Sequence, residues 1–412
     1  MMPVFDTSIQ TKFVDGSTDL GGKGWVLKDY IIDVYPNLAP SVKTPALWLW
    51  GLNSSGQLGD NTATSRSSPV QTVTSGTNWS RVACAGTHTA AIKTDGTLWL
   101  WGSNTNGQLG DNTTISKSSP VQTTAGGTNW KQVACAGNST AAIKTDGTLW
   151  LWGSNSYGQL GNNNATSRSS PVQTVTRGTN WSQVSVGAAT LGTCTAAVKT
   201  DGTLWLWGSN NYGQLGNNTT NSFGRSSPVQ TVSGGTNWSR VACAGTCTAA
   251  IKTDGTLWLW GQGSDGKLGD NTAVSKSSPV QTTAGGTNWK RVSVGGCAAA
   301  IKTDGTLWLW GQGSNGFYGL HGDNTATSRS SPVQTVTRGT NWNQVSCGDS
   351  HTAAIKTDGS LWLWGNRSNG RLGDNSASFA VSSPVQTVTR GTNWKQVSCG
   401  GSHTAVIADG NY

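Results

Sequence analysis

The pentapeptide LWLWG, at Leu47–Gly51 in its first copy, occurs seven times in the chain and decides its fold. Successive copies lie 50 to 55 residues apart. A period of about 50 residues that contains several strand-like runs predicts a radial array of β-sheets, in which each copy marks one blade. The first tryptophans of the seven copies are Trp48, Trp99, Trp150, Trp205, Trp258, Trp308 and Trp362.

Each repeat predicts a four-stranded blade, as the unit that begins at Thr77 illustrates. Strands A, B, C and D are predicted within Thr77–Gly86, His88–Gly96, Thr97–Gly102 and Ser119–Thr124. The Asp-Gly pair between strands B and C is typical of a hairpin turn, because glycine accepts positive φ. LWLW is apolar on both faces, which favours a strand packed between two neighbouring blades. Proline at the start of strand D suits an outer edge, where a missing N–H costs little.

The two ends of the repeat array predict how the ring closes. The array begins at a strand C, Ala46–Gly51, and finishes at a strand B, His403–Gly410. Neither piece is a whole blade, but together they make one. We therefore expect an all-β, seven-bladed propeller of four-stranded blades, in which the last blade combines strands from both ends of the chain.

Residues 1–44 stand apart from the repeats, which occupy residues 45–412. They contain one short apolar stretch, Trp25–Tyr35, that is too small to fold alone. We expect this N-terminal arm and linker to pack either on the propeller rim or on another chain, and we favour the second, in which it acts as an anchor. The residues predicted to contact a partner are Trp25, Leu27, Tyr30, Ile31, Ile32 and Tyr35.

The composition argues against a disordered, leader-exported, membrane-inserted or disulfide-rich protein. Charged residues make up 11% of the chain, and its 22 tryptophans supply enough apolar surface to argue against disorder. No apolar run has the length of a secretory leader or a membrane span, so neither export by a leader nor membrane insertion is expected. The eight cysteines occupy equivalent repeat positions and not local pairs, so most are expected to be free thiols.

The repeat resembles that of the regulator of chromosome condensation 1 (RCC1) family. The resemblance lies in a glycine after strand A, a histidine, an apolar strand, Asp-Gly, Trp-Gly and the motif GQLG, as in GTHTAAIKTDGTLWLWGSNTNGQLG (Gly86–Gly110). It covers residues 45–412 and recurs in every copy. It implies the seven-bladed propeller, but little about activity, because this fold serves exchange factors, photoreceptors and protein inhibitors.

Two activities of similar proteins have poor support in the residues. Guanine-nucleotide exchange would require a wedge-like insertion and blade-specific acidic residues, whereas these repeats are nearly uniform. The plant ultraviolet photoreceptors carry GWRHT motifs, and the equivalent segments here are AGTHT (Ala85–Thr89), AGNST (Ala136–Thr140) and GDSHT (Gly348–Thr352). Almost all tryptophans belong to LWLWG or TNW, so core packing explains them.

Catalytic and metal-binding residues are not predicted, and neither is a cofactor. The repeated aspartates, such as Asp95, belong to hairpin turns and lack the particular pocket that a catalytic acid needs. The spacing C-x3-H at Cys84/His88 recurs in two other blades, and Cys243/Cys247 is a C-x3-C. Packing and hydrogen bonding are the preferred interpretation, with a metal site and a Cys243–Cys247 disulfide as alternatives.

Loops and charge distinguish the two ends of the propeller. The A–B and C–D connections share one end, here called the loop face, which is nearly neutral. The B–C and D–A connections share the other, here called the basic face, because most of the excess positive charge lies there. Six aromatic residues follow strand C and are not repeated in every blade. They either pack within the loops or form a contact patch on the loop face: Tyr157, Tyr212, Phe223, Phe317, Tyr318 and Phe379.

These features predict a non-enzymatic structural or binding protein. An arm joined to a rigid propeller resembles the RCC1-repeat structural proteins of tailed bacteriophages. The leading hypothesis is therefore a virion component at the tail, fibre or head surface, attached to other virion subunits by its arm. Its loop face would contact either the host surface, through a protein or glycan, or a neighbouring subunit. An intracellular RCC1-like adaptor or guanine-nucleotide exchange factor is the alternative. Nucleic acid is not an expected partner, because no aromatics accompany the basic positions.

Overall fold

A computed structural model describes residues 44–73, 77–189, 192–313, 319–376 and 378–410 of the protein. These residues form seven antiparallel sheets of four strands each. The seven sheets confirm the predicted all-β propeller. The predicted arm, residues 1–44, falls almost entirely outside the described residues, so its extent and its role stay predictions.

The A strands line the centre of the ring and contact each other from blade to blade. In each blade strand A pairs with strand B, B with C, and C with the outermost strand D. The A strands are β3 (Trp79–Cys84), β7 (Trp130–Ala136), β11 (Trp181–Ala189), β15 (Trp238–Cys243), β19 (Trp289–Val294), β23 (Trp342–Cys347) and β27 (Trp394–Cys399). The B strands are β4 (His88–Lys93), β8 (Ser139–Lys144), β12 (Gly192–Lys199), β16 (Cys247–Lys252), β20 (Cys297–Lys302), β24 (His351–Lys356) and β28 (His403–Asp409).

The LWLWG segments form the C strands, as predicted, and the segment that contains Ser-Ser-Pro forms strand D. The C strands are β1 (Pro45–Gly51), β5 (Leu98–Gly102), β9 (Leu149–Gly153), β13 (Leu204–Asn210), β17 (Leu257–Gly261), β21 (Leu307–Gly311) and β25 (Leu361–Asn366). The D strands are β2 (Arg66–Gln71), β6 (Lys117–Gln122), β10 (Arg168–Gln173), β14 (Asn221–Gln230), β18 (Lys276–Gln281), β22 (Arg329–Gln334) and β26 (Ala380–Gln386). Two 3-10 turns, Ser264–Gly266 and Ser368–Gly370, lie in the loops that follow β17 and β25.

The ring closes through a composite blade, which confirms the prediction made from the chain ends. One sheet has the order β2-β1-β28-β27, so strands from the two ends of the array lie side by side. β1 and β28 pair antiparallel over their whole length, from Pro45 opposite Asp409 to Gly51 opposite His403. We number the blades 1 to 6 from β3–β6 to β23–β26, and this composite blade is blade 7.

Strand D differs from the prediction in where proline lies. In blade 1 strand D begins at Lys117, and Pro120 is its fourth residue. Gly102 pairs with Lys117 and Leu100 with Val121, with a register shift between the two pairs. The proline therefore lies in a bulge on the outer strand, where the regular ladder is already interrupted.

Tryptophan and the GQLG loop join neighbouring blades. Trp152 of blade 2 is fully buried, and its Nε1 donates to the Gln108 carbonyl of blade 1 at 2.8 Å. The Thr140 hydroxyl donates to the same carbonyl at 2.9 Å. Trp152 also meets Trp130 edge to face, at 6.3 Å between ring centroids. Such a pair contributes about 1 kcal/mol beyond its area burial, and every blade of the ring has one.

Candidate functional site

The loop face is held by hydrogen bonds within each C–D loop. In blade 1, Asn104 Nδ2 donates to Asp111 Oδ1 at 3.0 Å and to the Ile115 carbonyl at 3.2 Å. Gln108 Nε2 reaches Asn138 Oδ1 in the A–B turn of blade 2, at 3.4 Å. The contact between these connections agrees with their predicted placement on one face. The loops are therefore fixed supports for the few side chains that differ between blades.

The predicted aromatic patch consists of two exposed and two half-buried side chains. Phe223 is 88% exposed and Phe379 is 82% exposed, whereas Tyr157 and Tyr212 are half-buried. Phe317 and Tyr318 lie outside the described residues, as do the arm residues Trp25, Leu27, Tyr30, Ile31, Ile32 and Tyr35. Because Phe223 and Phe379 belong to blades 3 and 6, the structure does not join them into one cluster.

Two exposed aliphatic residues on the same loops were missed in the sequence. Ile115 is 64% exposed and Val274 is 59% exposed. Each occupies the place that threonine holds in other blades, for example at Thr64. That departure from an otherwise polar repeat position was the available signal. Val274 lies in blade 4, next to the blade that carries Phe223.

A central cavity of about 270 Å³ opens where the A strands end at the loop face. Its wall is made of small residues from all seven blades, such as Ala85 and Gly295. Asp349 is the acidic residue among those that line it. Burial raises the pKa of the Asp349 carboxyl, against the opposing effect of the Arg371 and Lys267 charges. A blade-specific carboxylate thus lies at the centre of the loop face.

The basic face is built from lysines that lie against tryptophan rings. Lys144 Nζ lies 4.7 Å from the Trp130 ring centroid and 5.2 Å from that of Trp150. The neighbouring Asp146 accepts hydrogen bonds from the Thr148 N–H and hydroxyl, and these lower the pKa of its carboxyl. The lysines of blades 1 to 6 are therefore held by cation–π contacts, and the turn aspartates cap their own hairpins.

Three arginines assigned to the basic face lie in the central A strands and not in loops. Arg81, Arg240 and Arg291 each occupy the third position of their strand, and each pairs with an isoleucine of strand B. The sequence predicted that their charge lies on the basic face, but it did not predict that they lie in the strands that line the central channel. The signal was that the other four blades have glutamine at this position: Gln132, Gln183, Gln344 and Gln396.

The histidines of the C-x3-H pattern point toward threonines of the next blade. His88 Nε2 lies 3.0 Å from Thr140 Oγ1, and that hydroxyl already donates to Gln108. The Thr140 oxygen therefore accepts, so His88 Nε2 carries the proton. Burial lowers the pKa of His88 to about 4 and that of His403 to about 3. These contacts agree with the preferred hydrogen-bonding interpretation.

Three further observations concern the cysteines, possible metal ligands and the helices of the described residues. All eight cysteines, including Cys243 and Cys247, are buried free thiols. Over the described ranges, no group of three or more His, Cys, Asp or Glu side chains is arranged to hold a metal ion. The same part of the chain contains no helix with the length and apolarity needed to cross a bilayer.

Comparison with known proteins connects this geometry to a family. The RCC1-like domain matches residues 42–301, and the regulator of chromosome condensation (RCC1) repeat matches residues 304–355 and 358–407. The ultraviolet-B receptor UVR8 of Arabidopsis thaliana is 32% identical over 343 residues, which are 79% of this chain and 62% of the receptor. The human E3 ubiquitin-protein ligase HERC2 is 28% identical over 280 residues, or 67% of this chain and 6% of the ligase.

Solved structures show the same fold at lower identity. The crystal structure of Prp20p from Saccharomyces cerevisiae superposes with a TM-score of 0.75 at 18% identity, covering 90% of this chain and 93% of that one. This chain spans less than two thirds of the receptor and a small fraction of the ligase. The matches to the family cover nearly all of residues 42–407. The chain therefore belongs to the RCC1 repeat family of β-propellers.

Proposed function

We propose that the protein is a non-catalytic protein-binding propeller that contacts its partner through the loop face. The observation that carries this proposal is the exposure of Phe223 and Phe379 on loops that are otherwise polar. Large apolar side chains presented by a fixed support are the groups that dominate the binding energy of protein interfaces. Ile115 and Val274 extend the apolar surface to two further blades.

The relatives support a protein-interaction role. Prp20p of Saccharomyces cerevisiae, which shares the fold, binds Gsp1p and histones. Among the described residues, Trp152 and His88 are used in contacts between blades, which leaves the loop residues as the variable groups. A propeller of this kind functions as a platform, and its specificity depends on what the loops present.

The proposal is tested by affinity purification of the tagged chain from extracts of the organism that encodes it, with quantitative mass spectrometry. Phe223→Ser combined with Phe379→Ser is expected to reduce recovery of the specific partner at least about tenfold, since two buried aromatics contribute more than about 1.4 kcal/mol. Lys93→Gln combined with Lys144→Gln, on the opposite face, is the control. Equal recovery by the two double variants would contradict use of the loop face.

Guanine-nucleotide exchange is a second candidate, favoured by two blade-specific features of the loop face. The β13–β14 hairpin is longer than its counterparts, with Asn210 paired to Asn221, and it carries Phe223. Asp349 adds a unique acid at the centre of the same face. The assay is release of a fluorescent guanine nucleotide from purified small GTPases of the same organism. Acceleration by the wild type, and its loss in Asp349→Asn, would favour this candidate over a passive adaptor.

The bacteriophage hypothesis stays a prediction. Its attachment device, residues 1–44, lies almost wholly outside the described residues, and the relatives above give it no support. Incorporation of the full chain into particles, compared with a chain that lacks residues 1–44, is the direct test. Unchanged incorporation of the shortened chain would contradict attachment through the arm.

A further inference from the structure

The central channel has a wall with open backbone edges. Strand A is the edge strand of each sheet, so its outward N–H and C=O groups have no strand partner. Side chains of the preceding blade reach them instead. The Cys84 N–H donates to Ser398 Oγ at 2.9 Å, and the Cys243 N–H donates to Ser185 Oγ at 3.0 Å. Residues at the third and fifth positions of strand A therefore lie between neighbouring A strands, at the channel wall.

Glutamine at the third position bridges one blade to the next. Gln132 Nε2 donates to the Val184 carbonyl at 3.1 Å, and Gln396 Nε2 donates to the Val82 carbonyl at 3.2 Å. Gln183 makes two contacts with Val241: its Nε2 donates to the carbonyl and its Oε1 accepts from the N–H. Gln344 similarly donates to the Lys395 carbonyl. Four of the seven blade junctions thus carry a neutral bridge.

Arginine occupies this position at the other three junctions. Arg81 and Arg240 are exposed and Arg291 is half-buried. The four ion pairs among described residues use Arg66, Arg329, Arg367 and Lys395, and so leave these three arginines without a carboxylate. Arg291 Nε is buried and has no hydrogen-bond acceptor among the described residues.

The three arginines lie in A strands on two sides of the same channel. Burial lowers the pKa of Arg291, and the charges of Arg240 and Arg81 lower it further. Blades 4 and 5 are neighbours, whereas blade 1 lies across the ring, so the three residues lie on two sides of the axis. Like charges held together without a counter-ion repel, and an anion between them removes that repulsion.

We propose that the end of the central channel nearest the basic face is a binding site for a small multivalent oxyanion, held by Arg81, Arg240 and Arg291. Guanidinium groups bind phosphate and carboxylate oxygens through paired N–H donors, which suits an anion with several such groups. Asp349 lies at the opposite end of the channel, where its carboxylate would repel the same ligand. The site is distinct from the loop face and does not depend on the proposed partner.

The test is isothermal titration calorimetry of the full chain with inorganic tripolyphosphate and, separately, with citrate, at a physiological ionic strength of about 0.15 M. The test variant is R81Q/R240Q/R291Q. Glutamine is the residue that four other blades carry here, so the variant is expected to fold and to keep its melting temperature. We expect it to bind the preferred anion at least about 100-fold more weakly than the wild type, since each charged hydrogen-bonding group lost weakens binding about tenfold or more.

A matched control separates the channel from general surface charge. Arg177, Arg338 and Arg390 lie on the D–A loops of the same face. R177Q/R338Q/R390Q removes the same charge from outside the channel, and we expect it to bind like the wild type. Tighter binding of tripolyphosphate would indicate a phosphate ligand, and tighter binding of citrate a polycarboxylate. The proposal would be overturned if the wild type bound neither anion measurably, or if both triple variants lost the same anion affinity. It would also be overturned if the wild type bound duplex DNA but neither small anion.

Discussion

Acid is expected to weaken the ring through its buried histidines, of which His88 gives the clearest case. His88 is fully buried, and its Nε2 donates to Thr140 of the next blade. Its pKa is lowered from 6.5 to about 4 by burial. Below pH 6.5 the unfolded chain therefore takes up a proton that the folded chain excludes. The stability due to neutral His88 is fully present above about pH 6.5 and is lost as the pH falls toward 4.

The size of the effect follows from the two pKa values. A difference between 6.5 and about 4 corresponds to about 3 kcal/mol of unfolding free energy lost between pH 8 and pH 4. His403, with a pKa of about 3, adds a loss of similar size over the same range. The turn aspartates, such as Asp95, have lowered pKa values as well, so they also favour unfolding in acid.

The variant His88→Ser isolates the histidine contribution. Serine occupies the equivalent place in blade 2, at Ser139, so the chain itself provides the replacement. Urea unfolding followed by tryptophan fluorescence at pH 8 and pH 4 gives the stability lost by each protein. We expect the variant to lose about 3 kcal/mol less than the wild type, whatever its stability at pH 8. An equal loss in the two proteins would refute a neutral buried His88.

Three further predictions concern packing. Gly110→Ala is expected to destabilise the chain by about 2 kcal/mol. The reason is that φ at Gly110 is +70° and an added Cβ would lie 2.8 Å from Trp152 Nε1. Thermal melts measure the effect, with Gly86→Ala as the control, because a Cβ added at Gly86 meets nothing within 4 Å. Lys144→Met should lower stability by about 1 kcal/mol through loss of its cation–π contacts, and equal melting temperatures at low salt would contradict this. All eight cysteines are buried, and burial raises the pKa of the Cys84 thiol to about 12. Because of this burial, Ellman's reagent at pH 8 should react with none of the native thiols and with all eight after denaturation; rapid reaction of the native chain would show that the cysteines are accessible.

The architecture could be predicted from the sequence because the repeat determines it at several levels. LWLWG fixes strand C, Asp-Gly fixes the hairpin before it, and the incomplete units at the two ends require a shared blade. Strand D was less well placed. Its proline normally marks a strand boundary, but in blade 1 Pro120 lies inside a bulge, where the interrupted ladder tolerates it.

The candidate sites were harder to predict because they depend on contacts between blades. Phe223 and Phe379 stood out as departures from the repeat, and their exposure could only be seen once the loops were placed. Arg81 and Arg291 resemble ordinary surface charges in sequence, since each directly follows a polar residue, Ser80 or Lys290. Their position beside the channel follows from the closure of the ring, which brings residues more than 200 positions apart in the chain to one axis.

The composite blade also sets the order in which the molecule can be completed during synthesis. Among the strands of the ring β1 is made first, yet the strand that covers its inner edge, β28, is made last. Leu47 and Leu49 therefore lack their final neighbours until almost the whole chain has been translated. Blades 1 to 6 can form one after another in the meantime, as local units. Synthesis of β28 is the step that converts this growing arc into a ring, so an arc that lacks β28 would have an open and aggregation-prone edge.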